Sequence, residues 1–207
     1  MLNIVLHEPE IPANTGNIGR TCVVTGSRLH LVGPLGFSLD ERMLHRAGLG
    51  YWDSLDVSVY RDWNDFIDRC GLAGPQGRRR LHLLTKKARR TYAESTYRDG
   101  DFLVFGKESS GLPEELLAAL PSHCERIPML PDAESLGNAE SWEARERGLH
   151  PEAADRDAGA SPLRAQDICG NFIDPDGYRI SALNLSNAAA VVLYEALRQT
   201  GFPGMEA

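Results

Sequence analysis

No stretch of the 207 residues approaches the roughly 18 consecutive apolar positions of a membrane-crossing helix, so no membrane association is expected. The opening Met1-Leu-Asn-Ile-Val-Leu-His-Glu8 has no basic flank and no small-residue cleavage site, and reads as a first strand, not a signal peptide. Cysteine is sparse: Cys22, Cys70, Cys124 and Cys169 lie far apart, with no Cys-x-x-Cys and no Cys/His pair at zinc spacing. This removes a disulfide framework and a zinc ribbon as organising elements, and predicts reduced thiols in a cytoplasm. The six histidines are also scattered, so no metal is expected. No Gly-x-Gly-x-x-Gly follows the first strand and no phosphate-loop Gly-Lys-Ser/Thr occurs, which sets aside the common nucleotide fingerprints. There is no internal repeat. What remains is a chain of ordinary apolar content, 42% hydrophobic, long enough for one domain with a real core.

The formal charge of −7 argues at first against a nucleic-acid partner. The distribution says otherwise. Residues 133–182 hold 10 acids and 5 bases, and the remainder, with 19 acids and 17 bases, is close to neutral. Within that remainder, Arg78, Arg79, Arg80, Lys86, Lys87, Arg89 and Arg90 place seven bases in 13 positions. Most such runs are solvated loops. This one is also a candidate phosphate-contacting patch.

Taken in order, Leu2–Leu6 reads as a buried strand. A loop punctuated by Pro9, Pro12 and Gly16 follows, then a helix over 18–25 that Gly26 can end. Strands are expected at 29–32, 55–60, 81–85, 102–105 and 125–129. Between them lie a short Asp-capped helix over 40–47, a helix over 63–70 capped by Asp62, and a turn-rich link over 71–77. The last helix spans 185–200. Strands alternating with helices predict an α/β fold: a mostly parallel sheet with helices on both faces. Residues 133–182 break the pattern. They are poor in large apolar groups, and read as an insertion within one domain of 1–207, with a little local structure near Trp142 and over 172–178.

One stretch organises the rest. Phe102-Leu-Val-Phe105 is an unbroken apolar run, as in a strand covered on both faces. It stops at Gly106, and Pro113 opens a helix with Glu114 and Glu115 in its first turn. Ligands of open α/β sheets sit at that end of the strands. Gly106 and Gly111 let the backbone approach a ligand, and Glu108 offers a charged acceptor for hydroxyl or amine groups.

Three segments together carry a resemblance: Asn14-Thr-Gly-Asn-Ile-Gly-Arg20, Phe105-Gly-Lys-Glu-Ser-Ser-Gly-Leu-Pro113, and Arg126-Ile-Pro-Met129 with Leu183-Asn-Leu-Ser-Asn187. They resemble the three motifs of the SPOUT methyltransferases, in the ribose 2′-O-methylating branch, with an opening similar to the small tRNA wobble-nucleotide, TrmL-type members. The resemblance covers about 1–132 and 183–204. It implies a SPOUT α/β knot, a C-terminal trefoil knot that composition alone does not reveal. It further implies S-adenosyl-L-methionine as cofactor, an obligate homodimer, and tRNA as partner, methylated on the ribose 2′-hydroxyl of its wobble nucleotide.

The resemblance also assigns residues. Leu84, Gly106, Glu108, Gly111, Ile127, Met129, Leu183, Asn184 and Ser186 match the cofactor-binding positions, with the backbone of Leu84, Gly106 and Ile127 holding adenine and ribose. Arg20 matches the catalytic arginine. A guanidinium stays protonated in proteins, so the task expected of Arg20 is electrostatic: gripping an RNA phosphate and stabilising a developing alkoxide. Asn14 and Asn17 could equally be turn formers, Asn184, Ser186 and Asn187 plain helix caps, and Tyr194 a core residue or a dimer contact. The chain departs from the family pattern where some 50 residues follow Pro131-Asp132, so either Ser135 or Ala182 fills the family's serine position beside the cofactor. Lys107 and Ser110 depart as well. Two further readings stay open: a tRNA-binding protein whose catalysis the insertion impairs, and a 2′-O-methyltransferase of another RNA.

Overall fold

The computed structural model describes residues 1–38, 51–129 and 182–206. Among them, six strands make one all-parallel sheet in the order β3-β2-β1-β5-β4-β6. The strands are β1 (Asn3–His7), β2 (Arg28–Val32), β3 (Val57–Tyr60), β4 (Leu81–Leu84), β5 (Phe102–Phe105) and β6 (Cys124–Glu125). Every residue of β1 and β5 is buried, as unbroken apolar runs at the centre of a covered sheet should be.

Side chains alternate across the pleat, and each face has its own helices. On one face Ile4, Leu6, Leu29, Leu31 and Leu103 pack with Ile18 and Cys22 of α1 (Pro12–Thr25) and with Val192, Leu193 and Ala196 of α5 (Leu185–Thr200). On the other, Val5, Val32, Leu83 and Val104 pack with Phe66 of α2 (Trp63–Arg69) and Leu117 of α4 (Glu114–Ala119). A single helical turn, α3 (Pro75–Arg78), closes the link that reads as turn-rich. The expected parallel sheet with both faces covered is present.

Several boundaries differ, each for a physical reason. Helix α1 starts at Pro12, so Asn14-Thr-Gly-Asn17, expected as loop, forms its first turns. Pro12 suits the first helical position, where an amide hydrogen has no partner anyway. The expected third strand is shortened by a 3-10 turn at Trp52–Ser54. The sixth strand, expected to run on to Met129, ends at Glu125: Arg126 instead bridges to Thr91, and Pro128 has no amide to continue a ladder. The helix expected over 40–47 lies outside the described residues, as does the proposed insertion up to residue 181. Gly26 ends α1 in the left-handed conformation, Asp62 caps α2 by accepting from Asp65 N–H at 2.9 Å, and α5 has the expected bounds.

A buried charged system fastens the β6 edge. His82 of β4 lies between Asp101, at 3.1 Å, and Glu125 of β6, at 2.7 Å. The second oxygen of Glu125 accepts from Tyr97 Oη at 2.6 Å, and Arg90 donates to the first at 3.0 Å. Glu125 is fully buried, a position tolerable for a carboxylate only when paired on every side. Burial alone would push the His82 pKa down. Hydrogen bonds to Asp101 and Glu125 outweigh it and raise the pKa to about 9. The group therefore stabilises the fold fully below its unfolded value of 6.5, and that stabilisation is lost as pH rises towards 9. His30, pushed down to about 4 chiefly by burial, acts in the opposite direction and only below pH 6.5. Urea midpoints should fall between pH 6.5 and 9 by the equivalent of a few kcal/mol. His82→Gln should be less stable at pH 6 yet nearly flat across that window. A variant with the wild-type slope would show that another group carries the effect.

Candidate active site

Parallel register brings three strand ends to one level. Leu84 pairs with Phe105 on one side and Glu125 on the other, so the loops starting at Thr85, Gly106 and Arg126 leave the sheet side by side. The Thr85 amide donates to the Glu125 carbonyl at 2.8 Å, holding two of these exits together. Leu84 and Ile127, with Leu185 at the start of α5, lie half-buried against one core cluster, on the α1/α5 face of the sheet. The structure thus gathers Leu84, Gly106, Ile127 and Asn184 at one end of the sheet. Gly111 lies on the loop after β5, and Ser186 in the first turn of α5. Met129 and Leu183 border this region with 40% and 43% of their surface exposed.

A hydrogen-bonded clasp joins the three motif segments. Helix α1 has Ile11 at its N-cap and no local side-chain cap. Glu108, on the loop after β5, supplies one from a distance. Its Oε2 accepts from the Glu10 amide at 2.8 Å, and its Oε1 accepts from the Ile11 amide at 3.3 Å and Asn14 Nδ2 at 3.0 Å. A carboxylate there satisfies orphan amides and complements the positive end of the helix. Glu10 returns the contact, accepting from the Ser109 amide at 3.0 Å and Ser109 Oγ at 2.9 Å. Asn14 then accepts from Asn184 Nδ2 at 2.9 Å, while Asn184 Oδ1 caps α5 through the Ser186 amide at 2.9 Å. Asn14 and Asn184 are therefore both caps and ties between motifs. The carboxylate of Glu108, expected to meet a ligand, is committed to three protein donors.

The glycines of the loop have structural tasks of their own. A Cβ on Gly106 would fall 2.0 Å from the Gly111 carbonyl carbon, so the loop's own backbone occupies the place of a side chain there. The Gly111 amide closes this tight turn onto the Lys107 carbonyl at 2.9 Å. Gly111 itself is needed for its φ of 72°, in the left-handed region. Next to the turn, Glu8 has a φ of 53°, rare for a residue with a side chain, and pairs with Lys107 at 2.6 Å.

Arg20 is on a different face of α1 from Asn14 and the clasp. It is exposed on α1, roughly 9 Å further along the helix axis than Asn14 and about 120° round it. Its nearest described influence is on Tyr51, whose phenol is raised by burial and held back by the Arg20 charge. The basic run is divided too. Arg78 and Arg79 sit before β4 and Lys86 to Arg90 after it, separated by a strand about 13 Å long. Only the second group lies at the ligand end of the sheet. Tyr194, with 45% of its surface exposed, is not a core residue.

The model of the SpoU rRNA Methylase family matches residues 1–141. The chain belongs to this family. Two relatives named tRNA (cytidine(34)-2′-O)-methyltransferase align over 99% of the chain: that of Escherichia coli K12 at 39% identity, covering 97% of its own length, and that of Saccharophagus degradans at 38%, covering 99%. A solved putative RNA methyltransferase from Bacillus anthracis superposes with a TM-score of 0.69 at 33% identity, covering 100% of this chain and 99% of that one. A structure described as giving insights into 2-OH methylation of C/U34 on tRNA gives 0.64 at 32%, covering 96% and 95%.

The SpoU motifs were legible as residues but not as a clasp. Glu10 and Ser109 escaped the sequence reading because their partners lie about a hundred positions away. The one local signal was a helix opening on Ile11-Pro12 without its own cap. Two substitutions weigh the clasp. Glu108→Gln turns an amide towards donors and should cost about 1.5–3 kcal/mol in thermal or urea unfolding. Gly106→Ala should cost more, since backbone must part from backbone. Wild-type stability for both would refute the clasp.

Proposed function

We propose that this protein transfers a methyl group from S-adenosyl-L-methionine to the ribose 2′-hydroxyl of the wobble nucleotide of tRNA. The observation that carries the reading is near-full-length similarity to enzymes named for that reaction, joined to three motif loops tied together at one end of the sheet. The residues present fit the cofactor. Leu84, Ile127 and Leu185 offer an apolar wall, Met129 and Leu183 exposed apolar flanks, and the loops after β4, β5 and β6 backbone donors and acceptors for a nucleoside. S-adenosyl-L-methionine supplies a methyl group already activated on a sulfonium, so the protein's work is positioning and charge. Leu84, Gly106, Ile127, Met129, Leu183, Asn184 and Ser186 form the binding set. Gly111 shapes it, and Glu108 holds it to α1.

The working unit is proposed to be a homodimer. Asn17, Arg20 and Val24 recur at helical spacing on the exposed side of α1, and Val191 and Tyr194 lie exposed on the neighbouring α5. Val24 keeps 63% of its surface, Tyr194 45% and Val191 39%, on two neighbouring helices. In the dimer this surface faces the other copy, and Arg20 is directed to that copy's strand ends. There the guanidinium stabilises the alkoxide that develops on the ribose and grips a phosphate. The chain leading into α5 is proposed to thread the family's trefoil knot. Residues 133–182 are read as an insertion within this single domain. Free thiols at Cys22, Cys70 and Cys124 accord with the cytoplasm, where tRNA is.

Purified protein mixed with labelled S-adenosyl-L-methionine and total tRNA should label tRNA, and nuclease mapping should place the methyl on nucleotide 34. No incorporation into any tRNA would sink the proposal. Arg20→Ala should lower kcat by roughly 10²–10³ with the urea midpoint unchanged, as for loss of one donor to a developing oxyanion. Undiminished turnover would remove Arg20 from the reaction.

A further inference from the structure

Thr85, Lys87, Ala88, Arg89, Arg90, Leu117, Pro121, Ser122 and Cys124 enclose a cavity of about 240 Å³. It lies across the sheet from the proposed methyl-donor site. Ala88, Leu117 and Cys124 belong to the α2/α4 core, whereas Leu84, Ile127 and Leu185 belong to the α1/α5 core. Small-molecule pockets begin at roughly 300 Å³. This cavity is thus too small for a whole cofactor, and of a size for a single nucleobase or a phosphate.

Its lining is divided by chemistry. The floor is apolar, from buried Ala88, Leu117 and Cys124, with Pro121 exposed at its edge. The rim is cationic, from Lys87, Arg89 and Arg90. Arg90 is anchored, donating to buried Glu125 at 3.0 Å and to the Ser122 carbonyl at 3.1 Å. Lys87 pairs with Glu114, whose side chain is 53% exposed. That pair is surface-accessible and exchangeable, as exposed ion pairs contribute little. Arg89 is exposed at the mouth. The loop carrying all three is itself fixed, because Arg126 donates to the Arg90 carbonyl at 2.9 Å and Thr91 bridges to Arg126. A rigid loop therefore presents positive charge around an apolar recess, at the ligand end of β4.

The geometry points to a second RNA subsite: this cavity takes one unstacked nucleotide of the substrate tRNA other than the methylated one. Its base sits on the Leu117/Pro121 floor, and its phosphate lies against Arg89 and Lys87. An RNA loop can supply such a nucleotide, since single-stranded bases splay out of the stack and each carries a backbone charge. Rim and recess together suit this ligand better than either alone. A phosphate needs no apolar floor, and an apolar ligand needs no ring of cations. The inference rests on the reading of the protein as a tRNA methyltransferase, but the site is separate from the transfer chemistry.

Three variants test it by total-tRNA binding across a potassium chloride series and by steady-state methylation. Arg89→Ala should raise the KM for tRNA several-fold with kcat unchanged, and reduce the slope of log K against log salt by about 0.7, the value of one single-strand phosphate contact. Ser122→Trp fills the recess without altering charge. It should weaken tRNA binding several-fold at an unchanged slope. Glu114→Gln releases Lys87 and should tighten binding. Calorimetry with S-adenosylhomocysteine should give wild-type affinity for all three. If Ser122→Trp binds tRNA as the wild type does, the recess holds no nucleotide and the inference falls, even where Arg89→Ala shows a general charge effect. If the wild type binds tRNA with these dependences but transfers no methyl group, the subsite stands and the transferase reading fails.

Discussion

The carboxylate of Glu108 is the contact on which the rest of this site depends. It stands on the loop after the central strand β5 and serves as the missing N-terminal cap of α1, nearly a hundred residues earlier in the chain. A charged acceptor satisfies buried amides more strongly than a neutral one would, and leaving those amides unpaired would cost their desolvation. Asn14 passes the tie on to Asn184 at the head of α5. Three segments far apart in sequence are thus held by polar contacts with narrow distance tolerance. Apolar packing fixes the layers, but it is non-directional and could not set the register of loops this finely.

The same division of labour holds at the β6 edge of the sheet. On the α1/α5 side, towards the β6 edge, His82, Glu125, Asp101, Tyr97 and Arg90 form a second satisfied polar system. Its effect reaches the ligand end of the sheet through β6. Glu125 is fixed from three directions, and Arg126 and Ile127 follow it directly. Such a system is costly to assemble in a core, and replacement by apolar groups could stabilise the fold. What it provides is position: the β6 exit, only two paired residues long, has little ladder of its own to hold it.

The layout of the fold was largely readable from residues, and the reasons mark where that reading stopped. Apolar runs at 102–105 and over the first strand announced buried parallel strands, and helical spacing with Asn184 at its head announced α5 with its bounds. Periodicity and caps are local quantities, and local reading captures them. The start of α1 was missed because its cap comes from Glu108, and a helix opening on Pro-Ala-Asn-Thr-Gly-Asn looks like loop unless the distant acceptor is known. A glycine reveals only that something approaches closely, and at Gly106 the sequence does not show that its own loop does so. The basic run read as one patch in one dimension. Four residues of strand divide it, and only Lys86 to Arg90 reach the functional end.

Arg20 is the residue whose placement says most about assembly. A guanidinium cannot take the proton of a ribose hydroxyl, so its contribution to transfer must be electrostatic and must fall within a few ångström of the reacting oxygen. Within the subunit it projects from the exposed side of α1, on a different face from Asn14, which is tied to the cofactor loops. Moving it to those loops would require α1 to rotate about its axis. That would break the Glu108 clasp and expose Ile18 and Cys22, both fully buried. Rotation is therefore far more costly than association. Val24, one turn beyond Arg20 on the same stripe, is the most exposed of the large apolar side chains among the described residues. In the proposed dimer a second copy seated there buries that surface and, in the same step, brings an arginine to the other copy's strand ends. The proposed active site then exists only when two chains meet.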